Sequence, residues 1–431
     1  AADLAQATAE GNQEAVAAAE AALDAAQAAA SAASADAAAA QAEAEEAREQ
    51  AAAAQAEAEE ARAEAAAAQA EAEEAQAEAE EAQAEAEEAR AEAAAASATA
   101  EGLRIELLLE SLDMNDDGDV LFGVATAGPR DDGAYYQALV ETVEEFAAAN
   151  GFSTPIIVDN IQPADAATEL ANLADQGVDV LAVGASEIAE PLADLTEQYP
   201  DIFWYCNCGA GYPLIPGLAQ AQDDSSQISY SAGYATGILL RDGGGDSVHF
   251  IGCCDLNFEK EAYLAFEMGL QAVDPGFTMT YVPTGNFPFD FDNISGATEA
   301  FNNAVAQGAD AVYPYLGGAH EPLVALANEN DVIVMSAGAS DVCERTDLDY
   351  DLAVQFDAGD YITTIIDLIA DGSFGEGEVF TFSVGQFPFV GAKLCDATPE
   401  QQAEFEAELA QIAAGAYAEP FFAIKAEAYG F

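Results

Sequence analysis

Residues 120–146 read VLFGVATAGPRDDGAYYQALVETVEEF. The stretch opens on an apolar run, VLFGVATAG, and passes through a polar turn, PRDDGA. Tyr136, Leu139, Val140, Val143 and Phe146 then follow at helical spacing. This pattern predicts strand, loop and helix. In an open parallel sheet such a loop lies outside the carboxyl end of its strand, where ligands are met. Asp131, Asp132, Tyr135 and Tyr136 sit in and just behind it. Two carboxylates beside two aromatic rings suit a polar, ring-bearing ligand. A solvated loop with an aromatic cap on the core is the other reading of the same residues.

The alternation continues toward the C-terminus. Strand-like runs are TPIIVDN, VDVLAVGA, DIFWYCN, SVHFIGCC, TMTYVPT, DAVYPYL, DVIVMSAG and EVFTFSV. Amphipathic helices are predicted over 134–149, 163–176, 188–199, 231–241, 259–273, 296–307, 321–330 and 360–370. Such alternation implies an α/β fold with parallel sheets and right-handed crossovers. Nine strands and the glycine-rich break DGGGD at 242–246 point to two sheets, hence two lobes. One more helix, 399–414, precedes an aromatic tail, YAEPFFAIKAEAYGF. Polar residues at strand ends, Ser186 and Asn207, are candidates for the same cleft. His320, just after Gly317 and Gly318, is either a cleft residue or a core histidine. His249 lies within an apolar strand.

Toward the N-terminus the material changes. Residues 1–111 are dominated by Ala, with Glu, Gln and Arg, and contain no proline. All four are strong helix formers. Gln41, Arg48, Gln55, Arg62, Gln69, Gln76, Gln83, Arg90 and Ser97 mark a seven-residue repeat. Ala recurs between them at 3–4 spacing (Ala44, Ala47, Ala51, Ala54, Ala58, Ala61, Ala65, Ala68). A sustained heptad implies a coiled-coil-like rod. About 100 residues at about 1.5 Å each would span about 150 Å. Residues 1–100 carry 24 acidic and 3 basic side chains, so a lone helix would be marginal. Self-association into a homo-oligomer through this helix is the expectation, and a solvated stalk the alternative.

The 431 residues include 10 Lys and Arg against 80 Asp and Glu, a formal charge of −70. That balance excludes nucleic acid and anionic membrane surfaces as partners. It fits a saline, halophilic setting or abundant divalent cations. No apolar run reaches the length of about 18 residues that a membrane-spanning helix needs. The start, Ala-Ala-Asp, is compatible with a mature end after signal removal. With only two histidines, the six cysteines suit disulfides in an oxidising, extracytoplasmic compartment better than zinc. Strand-end placement pairs Cys343 with Cys253 or Cys254, leaving a second bridge among Cys206, Cys208 and Cys395.

Asp113, Asn115, Asp117 and Asp119, with Gly118 at the sixth position, match the opening of a calcium loop. The bidentate Glu of the twelfth position is replaced by Val124. Asn293-Ile-Ser295 is a glycan acceptor pattern. No nucleophile elbow, phosphate loop or dinucleotide fingerprint is found, so no enzyme and no organic cofactor are expected, with Ca2+ the one candidate ion.

Six stretches in order carry a resemblance: DDGAYYQALVETVEEF, EPLADLTEQYPDIFWYCN, SAGYATGILLRDGGGDSVHFIGCC, AYLAFEMGLQAVDPGFTMTYVPTGNF, AVAQGADAVYPYLGG and VIVMSAGASD. Over residues 120–396 the chain resembles the basic membrane protein family of substrate-binding lipoproteins. The resemblance implies a two-lobed type I periplasmic-binding-protein fold. It also implies a small ligand, nucleoside-like, held between the lobes for an ABC importer. It places Asp131 or Asp132 and Tyr135 at the family's first-loop contacts. Phe287 stands where the family often has a stacking Trp, and Asp341 where an Asp meets ligand hydroxyls. The chain departs in carrying Gln355 and Asp357 where the family has a basic residue, Tyr136 for the loop Asn, and the added N-terminal rod. Arg130 and Arg345 are the only basic residues expected near the cleft. The implied boundaries are a heptad helix at 1–111, a first lobe at 112–228 plus 349–396, a second lobe at 229–348, and a C-terminal segment at 397–431. The expected function is extracytoplasmic solute binding on a self-associating rod. The alternative is a structural protein, a surface-layer or filament subunit, that has kept the binding-protein fold.

Overall fold

The computed structural model describes residues 13–184, 186–209, 212–285 and 290–430. The chain divides into two compact units, Ala1–Thr99 and Ala100–Phe431. Helix α1 runs Gln13–Leu112. In the first unit its residues 24–99 are exposed on every side, so this stretch buries no core of its own. Ala-rich propensity and side-chain bonds one turn apart, such as Gln69 Nε2 to Glu73 Oε1 at 3.3 Å, support it.

In the second unit the last turns of α1 become an ordinary packed helix. Leu108 and Leu112 are fully buried, each contributing about 1.5–3 kcal/mol. Arg104 clamps this end, with Nη1 donating to Asn150 Oδ1 (2.9 Å) and Nη2 to Asp367 Oδ1 (3.0 Å). Its guanidinium lies 5.3 Å from the Phe146 ring centroid.

The first sheet is parallel throughout, in the order β11-β5-β4-β3-β1-β2. Its strands are β1 (Phe122–Thr126), β2 (Ile156–Val158), β3 (Val180–Gly184), β4 (Phe203–Asn207), β5 (Leu218–Asp223) and β11 (Val379–Phe382). Strands β1, β3 and β4 are buried along their whole length, as a sheet covered on both faces requires. Helix α2 (Tyr135–Asn150) follows β1 and α3 (Ala166–Ala174) follows β2. The strand order reverses at β1, so the crevice between the β1 and β3 ends is a topological switch point.

The second sheet, β7-β6-β8-β9, is also parallel. It contains β6 (Ser247–Gly252), β7 (Thr278–Pro283), β8 (Ala311–Pro314) and β9 (Ile333–Val334). A third, two-stranded sheet is antiparallel, β10 (Leu352–Gln355) with β12 (Gly391–Leu394). Helices α5 (Ser225–Gly243) and α6 (Asn257–Val273) cross backbone to backbone. A Cβ on Gly233 would lie 2.0 Å from the Phe266 carbonyl oxygen, and one on Gly269 would lie 2.1 Å from that of Tyr230. Only glycine permits that approach.

Four elements go beyond the sequence reading. β5, LAQAQD, looks like a loop because Gln220, Gln222 and Asp223 interrupt it, yet ladders from β4 and β11 hold it inside the sheet. β10 and β12 are short and pair with each other, and β10 also bridges Met335 and Gly338 after β9. The aromatic tail is helical: α11 (Ala418–Tyr429) buries Phe421, and Lys425 Nζ meets Asp224 Oδ1 at 2.9 Å. Helix α5 starts six residues earlier than the spacing predicted, because Asp224 accepts from Gln227 N.

The cysteine pairing also differs. Cys343 bridges Cys395, across a Cα–Cα distance of 5.0 Å, and neither Cys253 nor Cys254. Cys395 follows β12, and its amide donates to Asp351 O beside β10, which carries it to the loop after β9. Cys206 pairs with Cys208 and Cys253 with Cys254. Among the described residues no helix is long and apolar enough to cross a membrane.

Candidate functional site

A cavity of about 140 Å³ opens between the carboxyl ends of the two sheets. From the first sheet come Asp132, Tyr135 and Tyr136 after β1, Ser186 and Glu187 after β3, Asn207 ending β4 and Asp223 ending β5. From the other side come Phe258 on α6, Phe291, Tyr315 to Gly317 after β8, Ala337 after β9, Phe356 after β10, and Tyr429 ending α11.

The β1–α2 loop explains its own shape. Gly133 takes a left-handed φ of 70°, which turns the chain so that the Asp132 side chain faces the start of α2. There its Oδ1 accepts from Ala134 N (2.9 Å) and Gln137 N (3.0 Å), and its Oδ2 from Tyr136 N (3.4 Å). Burial pushes the carboxyl up to about 6, against the opposing pull of those three N–H groups. The Tyr136 hydroxyl donates to Glu187 Oε1 at 3.4 Å. Glu187, on a short 3₁₀ turn (Ser186–Ile188), is 9 % exposed and pushed up to about 7 by burial. Asp223 is likewise pushed up to about 7 by burial.

Among the described residues, lining atoms without a hydrogen-bond partner include Glu187 Oε2, an acceptor, and Asn207 Nδ2, a donor. Two buried carboxylates elsewhere are different. Glu259 accepts from the amides of Cys253, Cys254 and Leu256. Glu408 accepts from the hydroxyls of Tyr230 and Tyr417. Those two hold the fold together, whereas Glu187 lines the cavity with one oxygen unpaired.

The opposite side is aromatic. Phe258 and Phe291 stack with centroids 6.2 Å apart at 22°. Tyr315 lies 5.8 Å from Phe356 and 6.5 Å from Phe258. Burial holds the Tyr135, Tyr136 and Tyr315 hydroxyls well above the usual phenol range, so all three stay neutral.

Of the residues proposed from sequence, the structure brings Asp132, Tyr135, Tyr136, Ser186 and Asn207 together. Asp131, beside them in sequence, is exposed and does not line the cavity. Asp341 is also exposed and outside the lining, at the start of a 3₁₀ turn (Val342–Glu344). His320 belongs to the core of its lobe: 3 % exposed, its Nδ1 2.8 Å from Pro314 O, its ring stacked on Tyr350, and burial lowering its pKa to about 4. Phe287 lies outside the described residues, and Phe258 and Phe291 supply ring faces. Arg130 and Arg345 do not reach the cavity: Arg130 binds Asp159, and Arg345 binds Glu321 and Asp347.

Sequence reasoning missed Glu187 and Asp223. Glu187 carries a signal of the kind already used for Ser186, a polar residue just past a strand. Asp223 ends a strand that was not recognised.

The Asp-rich loop is occupied with its own backbone. Asp113 accepts from Asp117 N (3.1 Å) and Gly118 N (2.8 Å), and Asp119 from the amide and hydroxyl of Ser153. Among the described residues no group of three or more His, Cys, Asp or Glu is placed to hold a metal ion. At the glycan pattern, Asn293 Nδ2 donates to Thr284 O and Asp290 Oδ2, so that amide is engaged internally.

Solved structures share the fold. A solute-binding protein of an ABC transporter system from Conexibacter woesei is 21% identical, with a TM-score of 0.51, covering 69% of this chain and 97% of its own. One from Aeropyrum pernix is 14% identical, with a TM-score of 0.55, covering 72% and 92%. A transcriptional activator of the comK gene from Bacillus halodurans is 14% identical, with a TM-score of 0.53, covering 68% and 96%, so the fold alone does not choose among functions. No curated protein matches the chain. The choice comes from the family match, which spans residues 120–386, more than half of the chain and most of the strands that build the cleft: the chain belongs to the PnrA-like family of ABC transporter substrate-binding proteins.

Proposed function

We propose that this protein captures a small, polar, ring-bearing solute of nucleoside-like shape between its two lobes, on the extracytoplasmic side, for an ABC importer. The observation that carries the reading is the pairing of walls in one cavity: carboxylate and amide groups at the ends of β1, β3, β4 and β5 lie opposite Phe258, Phe291 and Tyr315 of the other lobe. Rings take the flat face of a base-like group, and carboxylates accept from hydroxyl or amino groups at its edge. The lobe boundaries of the sequence reading, 112–228 plus 349–396 and 229–348, place the hinge near β10 and β12. Calorimetric titration of the full chain with a panel of nucleosides and free bases tests the reading. Saturable, stoichiometric heat with at least one is expected, and no binding by any would remove it.

The N-terminal helix supports a second element, self-association of identical copies. Its residues 24–99 are exposed on all sides and carry an Ala seam in heptad register. Charge opposes this, so salt must help: repulsion reaches about 10 Å at about 0.1 M and about 3 Å at about 1 M. Light scattering of the full chain should show mass rising with salt. Ala58→Glu with Ala65→Glu should abolish the rise. A monomer at every salt concentration would make the helix a solvated stalk, and a salt-driven polymer with no solute binding would favour a structural role.

A further inference from the structure

We infer that the cleft selects its solute as an organic cation, one that also carries a hydrogen-bond acceptor. The inference rests on the solute-binding reading and names the charge that reading leaves open. It begins with the charges around the cavity. Asp132, Glu187 and Asp223 line it, and no Lys, Arg or His does among the described residues. None of the undescribed residues of the body is basic either.

The body's cations are held elsewhere. Arg104 pairs with Asp367, Arg130 with Asp159, Arg241 with Glu404, Lys260 with Glu427, Arg345 with Glu321, and Lys425 with Asp224. Lys393 is exposed on β12. An anionic or phosphate-bearing solute would therefore enter against three carboxylates with no counter-charge. A neutral solute would bring no counter-charge to Glu187 and Asp223, whose ionised forms burial makes costly. A cation removes that cost on arrival.

The unpartnered atoms agree. Glu187 lines the cavity and is more than nine-tenths buried, and its Oε2, an acceptor, has no donor. Asn207 Nδ2, 6 % exposed, is a donor without an acceptor, which is why the solute needs an acceptor group as well. The rings complete the site. The faces of Phe258, Phe291, Tyr315 and Phe356 gather within about one ring's reach of one another, an arrangement that attracts a cation through the ring quadrupoles. Neutral tyrosines, rather than phenolates, keep that attraction free of a fixed counter-ion.

The class is thus a ring cation, such as a pyridinium, an alkylated purine or an amidinium, with carbonyl or hydroxyl groups at its edge. The test uses the full chain and a matched pair of probes: nicotinamide riboside, a fixed pyridinium cation, and its reduced dihydro form, neutral and of nearly the same shape. Inosine and uridine serve as neutral nucleosides, and choline as a cation without a ring. The cationic riboside should bind at least about tenfold more tightly than the reduced form. In Glu187→Gln with Asp223→Asn that ratio should fall toward one, with thermal melts showing that the variant is folded. Equal or tighter binding of the neutral probes overturns the inference and leaves the nucleoside-like reading standing. Binding of choline alone overturns the ring-cation class together with the nucleoside-like reading. Binding of none of the five overturns both.

Discussion

The two walls of the cleft are built from opposite materials. The first-lobe wall presents Asp132, Glu187, Asn207 and Asp223, and the facing wall presents Phe258, Phe291, Tyr315 and Phe356. In the polar wall Glu187 and Asn207 keep atoms that the fold leaves unpaired, so these two weaken the empty protein, whereas Asp132 also holds the start of α2. The aromatic wall owes nothing to hydrogen bonding, and its rings pack on the core as well as on the cavity: Tyr315 reaches Phe250 at 5.4 Å and Tyr313 at 5.7 Å. Binding and stability should therefore respond together at the aromatic wall and in opposition at Glu187.

The largest effect belongs to Tyr315→Ala. Removing a ring that bridges cavity and core should cost about 3 kcal/mol of stability and weaken solute binding in the same variant. Urea melts alongside titrations check it, and unchanged stability would mean that the ring serves the cavity alone. Asp132→Ala comes next. It strands three amides at the start of α2, two of them held within 3.0 Å, for a loss of about 1–3 kcal/mol, and Asp132→Asn should recover part of it.

Glu187→Gln should separate the two quantities. Below pH 4.5 the carboxyl is protonated folded and unfolded, so it contributes no difference. Between 4.5 and about 7 the unfolded chain ionises first and draws the equilibrium toward unfolding; above 7 that cost is constant. The variant should thus melt higher than the parent at pH 8, match it near pH 4, and bind more weakly at pH 8. A lower melting temperature at pH 8 would place Glu187 among the structural carboxylates with Glu259. The smallest effect is expected outside both walls. Calcium against chelator should leave the melting temperature unchanged at moderate salt, because Asp113 and Asp119 already accept from their own loop and from Ser153. A clear rise with calcium would restore the loop as a metal site.

The same contrast sorts what was legible beforehand. Asp132, Tyr135 and Tyr136 could be read because loop and helix phase are local properties: an apolar strand run, a polar turn and a 3.6-residue period place them within one loop. Ser186 and Asn207 followed from strand ends. Position at a strand end does not determine which way a side chain points, and there the reading failed. Asp131 faces solvent beside the buried Asp132, Asp341 stays exposed, and His320 turns into the core. Phe258 and Phe291 had no local signal, since an aromatic residue at a helix start or in a loop reads equally well as core.

By itself the sequence determined the division into an Ala-rich helix and an α/β body, the family, and the loop around which the cleft is built. These follow from composition, periodicity and ordered motifs, which are carried by neighbours in the chain. Only the tertiary structure decided that LAQAQD is an inner strand bringing Asp223 to the cavity, that the C-terminal helix brings Tyr429 to the same place, and that Cys343 meets Cys395. Each is a choice of partner across long stretches of chain. Such choices are set by which ladders, rings and buried charges can be satisfied at once, a condition that no local window of residues contains.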